Sequence, residues 1–235
     1  MSVGLKFHGV DIETIAPVKI DDIKVSPITL NPVARERAIR AGADFVREHG
    51  GNRTVTVTFA LLDSTASTRQ ASLLAISEWA KTDAEYKLQV PHFSDKYLMA
   101  VCTAKPEPSL RMWWEAKLRL VFTCYDNPYW TSSTEKTCAC GTQFTAGGDA
   151  IPLMQIKNTF ASAASNVAYS DGTHTMTFST IPAGNMVIDL NNQTAKVGSS
   201  TIMGYYALTG KFVQPKTGTQ TITGTGTVYY RERWT

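Results

Sequence analysis

Charge of one sign, long apolar runs and paired cysteines are all scarce in this sequence, and each shortage removes a class of function. The 23 Lys and Arg against 20 Asp and Glu leave a formal charge of +3, too little to draw the chain in bulk to nucleic acid or an anionic membrane, although a local patch stays open. No stretch approaches the roughly 20 apolar residues that span a bilayer. The opening Met1-Ser2-Val3-Gly4-Leu5-Lys6-Phe7-His8 lacks the apolar core of a signal peptide, so a soluble, unexported chain is expected, on which the sequons Asn52-Arg53-Thr54 and Asn192-Gln193-Thr194 have no role. Four cysteines are too few for a disulfide scaffold in 235 residues, and reduced thiols are expected in the cytosol. Cys138-Ala139-Cys140 is the one close pair. His8, His49, His92 and His174 stand at no ligand spacing, so neither a metal nor a cofactor is expected.

What is present is alternation. In residues 54–61, Val55, Val57, Phe59 and Leu61 share one face of a strand and Thr54, Thr56 and Thr58 the other. Residues 114–124 repeat the pattern, with Trp114, Ala116, Leu118, Leu120, Phe122 and Cys124 on the apolar face. Shorter strands are expected at 20–30, 86–90 and 97–103, among Pro17, Pro27, Pro91 and Pro106. One helix interrupts them, capped by Ser64, Thr65 or Ser67 and running to about residue 80, with Leu73, Ile76 and Ala80 as the stripe that docks on the sheet and Leu74 and Trp79 flanking it.

Charge density then changes. Sixteen basic and fifteen acidic residues fall within 1–130, leaving seven of the 23 basic and five of the 20 acidic for 131–235, where Thr, Ser, Gly and Ala dominate. Such a shift marks a boundary between two modules, 1–130 and 131–235, with the seam at Tyr125-Asp126-Asn127-Pro128-Tyr129-Trp130. The second module opens on a polar, glycine-bearing stretch to residue 148. Short strands are expected after it, between turns at Asp171-Gly172, Ala183-Gly184-Asn185 and Asn191-Asn192, as in a sandwich. Met176 and Phe178 alternate with Thr175 and Thr177; Met186, Ile188 and Leu190 alternate with Val187 and Asp189; and residues 219–230 close the sheet. The fold class is mainly β.

Catalytic signatures are missing. The carboxylates are scattered rather than paired across a cleft; no Gly-x-Ser-x-Gly elbow occurs; and Gly224-Thr225-Gly226 lacks the strand, turn and helix that a phosphate loop needs, so it reads as strand or turn. The most unusual stretch is 31–53, which carries Arg35, Arg37, Arg40, Arg47 and Arg53 against Glu36, Asp44 and Glu48. Its length and weak apolar period suggest a long loop or arm, either solvated or ordered by a partner, since arginine is enriched where subunits meet and where phosphates bind. Trp113, Trp114, Tyr129, Trp130, Tyr205 and Tyr206 could support sugar stacking, but in each adjacent pair one ring faces the core.

The order of these pieces resembles the distal tail proteins (Dit) of long-tailed siphophages. The resemblance runs from Leu5-Lys6-Phe7-His8-Gly9-Val10-Asp11 through the strand at 20–30 and the basic arm into Gly50-Gly51-Asn52-Arg53-Thr54-Val55-Thr56-Val57. It continues through the helix ending Glu78-Trp79-Ala80, the strand closing on Phe122-Thr123-Cys124-Tyr125-Asp126-Asn127-Pro128-Tyr129-Trp130, and Met186-Val187-Ile188-Asp189-Leu190. Where relatives often carry a Pro-Gly-Arg-Asp-Gly-like turn in the arm, this chain has Arg40-Ala41-Gly42-Ala43-Asp44-Phe45. The resemblance implies an N-terminal tail-tube-like β-sandwich with one helix and a long arm, and an outward-facing galectin-like C-terminal β-sandwich. It implies a non-enzymatic homohexameric ring at the virion tail tip, assembled in the host bacterial cytoplasm, that joins the tail tube protein to the tail-tip fibre or hub and to baseplate or receptor-binding proteins. DNA would pass through its channel as cargo, no membrane or cofactor would be involved, and Arg35, Arg37, Arg40, Arg47 and Arg53 would contact a neighbouring subunit or face the channel. Relatives with an added carbohydrate-binding module carry a large insertion, and this chain has none. The alternatives are a carbohydrate-binding module carried by the second half and a tail-tube or adaptor subunit.

Overall fold

The computed structural model describes residues 4–36, 43–105, 118–206 and 210–235. The chain divides into two compact units, Met1–Trp130 together with Thr235, and Thr131–Trp234. Among the described residues no helix is long and apolar enough to cross a membrane.

In the N-terminal unit the strands are β1 (Lys6–Phe7), β2 (Val10–Asp11), β3 (Val18–Val25), β4 (Leu30–Glu36), β5 (Ala43–Gly50), β6 (Arg53–Leu61), β7 (Tyr86–Gln89), β8 (Lys96–Ala104) and β9 (Leu118–Cys124). Seven of them form an antiparallel sheet in the order β3-β6-β9-β8-β7-β1-β2, while among the described residues β4 and β5 pair only with each other. The first turn explains Gly9: Phe7 pairs with Val10 across a two-residue loop in which His8 and Gly9 have φ of 53° and 81°, a conformation glycine adopts without strain.

Strand β6 realises the expected alternation. Val55, Val57 and Phe59 are fully buried and the threonines between them half-buried. The helix α1 (Ala66–Trp79) starts at Thr65, whose hydroxyl accepts the Thr68 N–H at 3.3 Å, and buries Leu73, Ile76 and, just past its end, Ala80. Leu74 is 58% exposed. Phe7, Trp79 and Phe122 have ring centroids 5.0 to 6.4 Å apart, close enough for edge-to-face attraction beyond the area they bury.

The structure redraws two expectations and leaves part of a third outside the described residues. The strand expected over 20–30 runs instead from Val18 to Val25, because Pro27 has no N–H to continue the ladder. The arm expected as a long loop contains a two-stranded antiparallel ribbon, β4 with β5. Residues 114–117 of the last strand lie outside the described residues, and β9 is described from Leu118.

After β10 (Trp130–Ser132), the C-terminal unit holds β11 (Lys136–Ala139), β12 (Gln143–Ala146), β13 (Ala150–Phe160), β14 (Ala164–Ser170), β15 (Thr175–Ile181), β16 (Gly184–Asp189), β17 (Thr194–Val197), β18 (Ser200–Thr201), β19 (Gly218–Thr221) and β20 (Thr227–Trp234). A sheet in the order β11-β20-β13-β16-β17-β18 shares one core with the pairs β12-β19 and β14-β15. Met154, Ile156, Met186, Ile188 and Val228 from the large sheet meet Tyr169, Met176, Phe178, Ile181 and Ile222 from the other side, which makes this unit a β-sandwich. Two strands, β11 and β12, occupy the stretch expected to be polar and glycine-bearing; β12 sends Phe144 and Ala146 into the core, while β11 pairs with β20 and leaves only Cys138 partly buried. The tail expected as one closing segment is split between β19 and β20. The turn between them holds Gly224 (φ 134°) and Gly226 (φ 101°), and a Cβ at Gly226 would stand 2.5 Å from the Lys157 carbonyl oxygen.

Candidate assembly surface

The basic arm is the surface that the sequence singles out. In its ribbon Arg35 stands opposite Asp44, Val33 opposite Arg47 and Pro32 opposite Glu48, with a register shift between Val33 and Ala34. Arg35 therefore lies on β4 and Arg47 on β5, while Arg37 and Arg40 fall outside the described residues. The ribbon's base is tied to the main sheet: the Thr54 N–H donates to the Ser26 hydroxyl at 2.8 Å, the Ser26 N–H to the Thr54 carbonyl at 2.8 Å, and the Thr29 N–H to the Asn52 carbonyl at 3.2 Å. Arg53 is set apart from the other four. It opens β6, opposite Cys124, and only 4% of it is exposed.

Both ends of the N-terminal sheet are unpaired among the described residues, since β3 pairs only with β6 and β2 only with β1. Edge β3 carries Lys19, Asp21, Asp22 and Lys24 and is bent by a bulge between Ile20 and Asp22, the devices that keep an open edge from pairing indiscriminately. Near β2, a cavity of about 650 Å³ is lined by Phe7, His8, Val10, Ile15, Trp79 and Tyr86, among others. There the Trp79 indole N–H donates to the Val10 carbonyl at 3.2 Å, and Val10 is 40% exposed.

Reactive groups are arranged for packing. Burial pushes the Cys124 thiol up to about 12, with the Glu85 charge adding and Arg53 opposing, and burial also raises Cys102 and Cys140; such thiols stay protonated and are poor nucleophiles at neutral pH. Asp171 is the most perturbed carboxylate. Burial pushes it up, but the N–H groups of His174 (2.6 Å), Thr173 (2.8 Å) and Gln214 (3.3 Å) and the His174 ring hold it down to about 2. Its side chain is 3% exposed and 3.7 Å from Lys216 Nζ, and it fastens the β14–β15 turn to the segment before β19. Among the described residues, no group of His, Cys, Asp and Glu is placed to hold a metal ion.

The aromatic candidates separate cleanly. Trp130 is buried and packs on Phe93 at 4.7 Å, Tyr206 packs on Phe178 and Phe212, and Tyr205 is 45% exposed; Trp113 and Trp114 lie outside the described residues. Gly224-Thr225-Gly226 forms the turn before β20.

No protein-family profile and no curated protein sequence matches this chain. Among solved structures it is similar to the SPP1 Dit (gp 19.1) protein, described as a paradigm of the hub adsorption apparatus in phages that infect Gram-positive bacteria, with a TM-score of 0.75 at 14% identity over 99% of each chain. It is also similar to a chain of the phage P2 baseplate in its activated conformation with Ca, with a TM-score of 0.48 at 10% identity over 96% of this chain and 93% of that one. The chain has a Dit-like fold along its whole length.

Proposed function

We propose that this chain is a distal tail protein, the structural hub of a phage tail tip. The observation that carries the reading is the length of the match: the likeness to the SPP1 hub protein covers 99% of each chain, so both compact units take part in it. In this reading residues 1–130 build a closed homohexameric ring, and the galectin-like 131–235 faces outward. The open edges at β3 and β2 support it, because two different unpaired edges on one subunit permit head-to-tail contacts, and a head-to-tail contact closes into a ring when its rotation divides the circle. The charge on the arm supports a role for Arg35, Arg37, Arg40 and Arg47 in touching the neighbouring subunit or facing the channel.

The hub joins the tail tube protein to the tail-tip fibre and to baseplate or receptor-binding proteins, assembles in the host cytoplasm, passes DNA as cargo and performs no catalysis. Light scattering on the purified chain, with negative-stain electron microscopy, tests this. A closed ring of six times the 25.7 kDa chain mass is the expected result. Monomers at every concentration, with and without tail-tube partner, would overturn it, and long stacked tubes would mark a tube subunit instead.

A further inference from the structure

The cavity of about 650 Å³ beside β2 is built as an aromatic trough. Phe7 alternates inward from β1 and is fully buried, so it forms the floor. Trp79, at the end of α1, and Tyr86, at the start of β7, are half-buried walls. They stand steeply to the floor, at 75° with ring centroids 5.8 Å apart and at 89° with centroids 6.1 Å apart. The Trp79 indole is fixed by its bond to the Val10 carbonyl, and the His8 ring packs on Tyr86 at 4.1 Å.

The rim of the trough is acidic. Glu78 lines it, Asp83 accepts from the Tyr86 hydroxyl, and Glu13 is exposed next to Thr14, another lining residue. Against these three carboxylates stands Lys81, 3.3 Å from Glu78 with the two side chains 68% and 76% exposed, a pair weak enough to exchange partners. Among the described residues the lysines stacked on rings, Lys87, Lys96 and Lys157, sit over Tyr97, Phe93 and Tyr229, so neither wall of the trough holds one. Aromatic walls beneath excess negative charge suit a cation, arginine above all, whose flat guanidinium stacks on a ring while its N–H fork reaches a carboxylate.

The chain carries such cations on its arm, and the fold leads them away from its own trough. β3 begins three residues after Ile15 of the trough and ends at Val25, next to Ser26, where the arm is tied to the sheet. Eight residues at about 3.3 Å each set the trough and the base of the arm roughly 25 Å apart. The ribbon then prolongs the same hairpin in the same register: Val25 stands opposite Val55, and Leu30 opposite Gly50, five residues further along each strand. We propose that the trough receives an arginine, Arg35 or Arg47, from the arm of a second copy of this chain. Opposite charge selects that occupant, and a head-to-tail contact brings the arm end of one copy to the trough end of the next. The inference rests on the ring reading and names the surface of the neighbour that the arm engages.

Exchanging charge between full-length chains tests it, with particle mass read by light scattering and folding by circular dichroism. Glu78→Lys with Asp83→Lys is expected to raise the concentration at half-assembly at least roughly tenfold, as Arg35→Glu with Arg47→Glu does; both carboxylates are exposed, so the fold is expected to hold. An equimolar mixture of the two double variants gives each arm an oppositely charged trough on the other chain and is expected to recover the wild-type mass. Tyr86→Leu keeps apolar bulk but removes the aromatic wall, and is expected to raise the half-assembly concentration roughly three- to fivefold. Wild-type rings alongside intact rings of the trough-reversed chain would overturn the proposal and leave the hub reading standing, whereas wild-type monomers would overturn both. Failure of the mixture would also overturn it, and assembly of a chain carrying all four substitutions would then seat the arm in its own trough. Trough-reversed rings that lose only the tail tube protein would overturn it by giving the trough to that partner.

Discussion

In the N-terminal unit one helix covers a sheet through Phe7, Trp79 and Phe122, and the charges are many and outward. Its ion pairs Lys24–Asp22 and Lys81–Glu78 have side chains 51 to 79% exposed, and pairs of that kind contribute about 0–1 kcal/mol. The C-terminal unit has no α-helix among its described residues, and two of its carboxylates are drawn in from the surface. Glu232, 12% exposed, accepts from Lys136 Nζ at 2.7 Å and from the Gly147 N–H at 2.8 Å, and Asp171 is held by three backbone N–H groups. Abundant charge therefore leaves the first unit with polar surface available for contacts, whereas in the second Asp171 and Glu232 act as clips to segments distant in the chain.

The largest effect that would break this contrast is on assembly. The double substitution Arg35→Glu with Arg47→Glu is expected to reduce the particle from a ring to single chains in light scattering while leaving the circular dichroism spectrum intact. Rings that persist with normal infectivity would remove the arm from the interface. Next in size, Phe122→Ala empties the middle of the aromatic cluster and is expected to destabilise the N-terminal unit by about 3–5 kcal/mol. Calorimetry reads it as a lowered first transition with the C-terminal transition in place; a single transition that moves as a whole would show the two units melting together.

Asp171→Asn sharpens the other half. A carboxylate held at about 2 against an ordinary value near 3.9 favours the folded state by about 2 kcal/mol at neutral pH. Because the folded value is the lower one, that stability is fully present above a pH of about 5 and disappears as pH falls through about 4 toward 2. Wild type should therefore show its C-terminal transition move to lower temperature across that window in acid-titrated melts, and Asp171→Asn should be weaker at neutral pH with a flatter acid profile. Identical profiles for the two would discount the clip. Smallest of all, Thr65→Ala removes the cap of α1 and is expected to cost about 1 kcal/mol, visible as a small shift of the N-terminal transition alone.

Where one face of an element is buried and the other wet, its pattern could be read directly. β6, β7, β8 and α1 follow the expected segments closely, and Thr65 proves to be the cap among the three candidates. The ribbon β4–β5 escaped because pairing through backbone hydrogen bonds needs no apolar alternation. β11 and β12 escaped because strands of four residues give too few alternations to stand out from a polar stretch. The five arginines were visible as a cluster in sequence, but burial of Arg53 at the base of β6 depends on the neighbouring strand β9.

Side-chain periodicity by itself determined the mainly β character of the chain, the single helix and the inward faces of its best strands, because burial on one side imposes a period of two or 3.6 on the residues. Composition alone likewise set the contrast in charge density between its two halves. Only tertiary structure decided which strands are neighbours, and that Asp171 reaches Gln214 and Glu232 reaches Lys136. Those outcomes depend on register between distant segments, and register is set by the joint packing of a whole sheet rather than by any one strand.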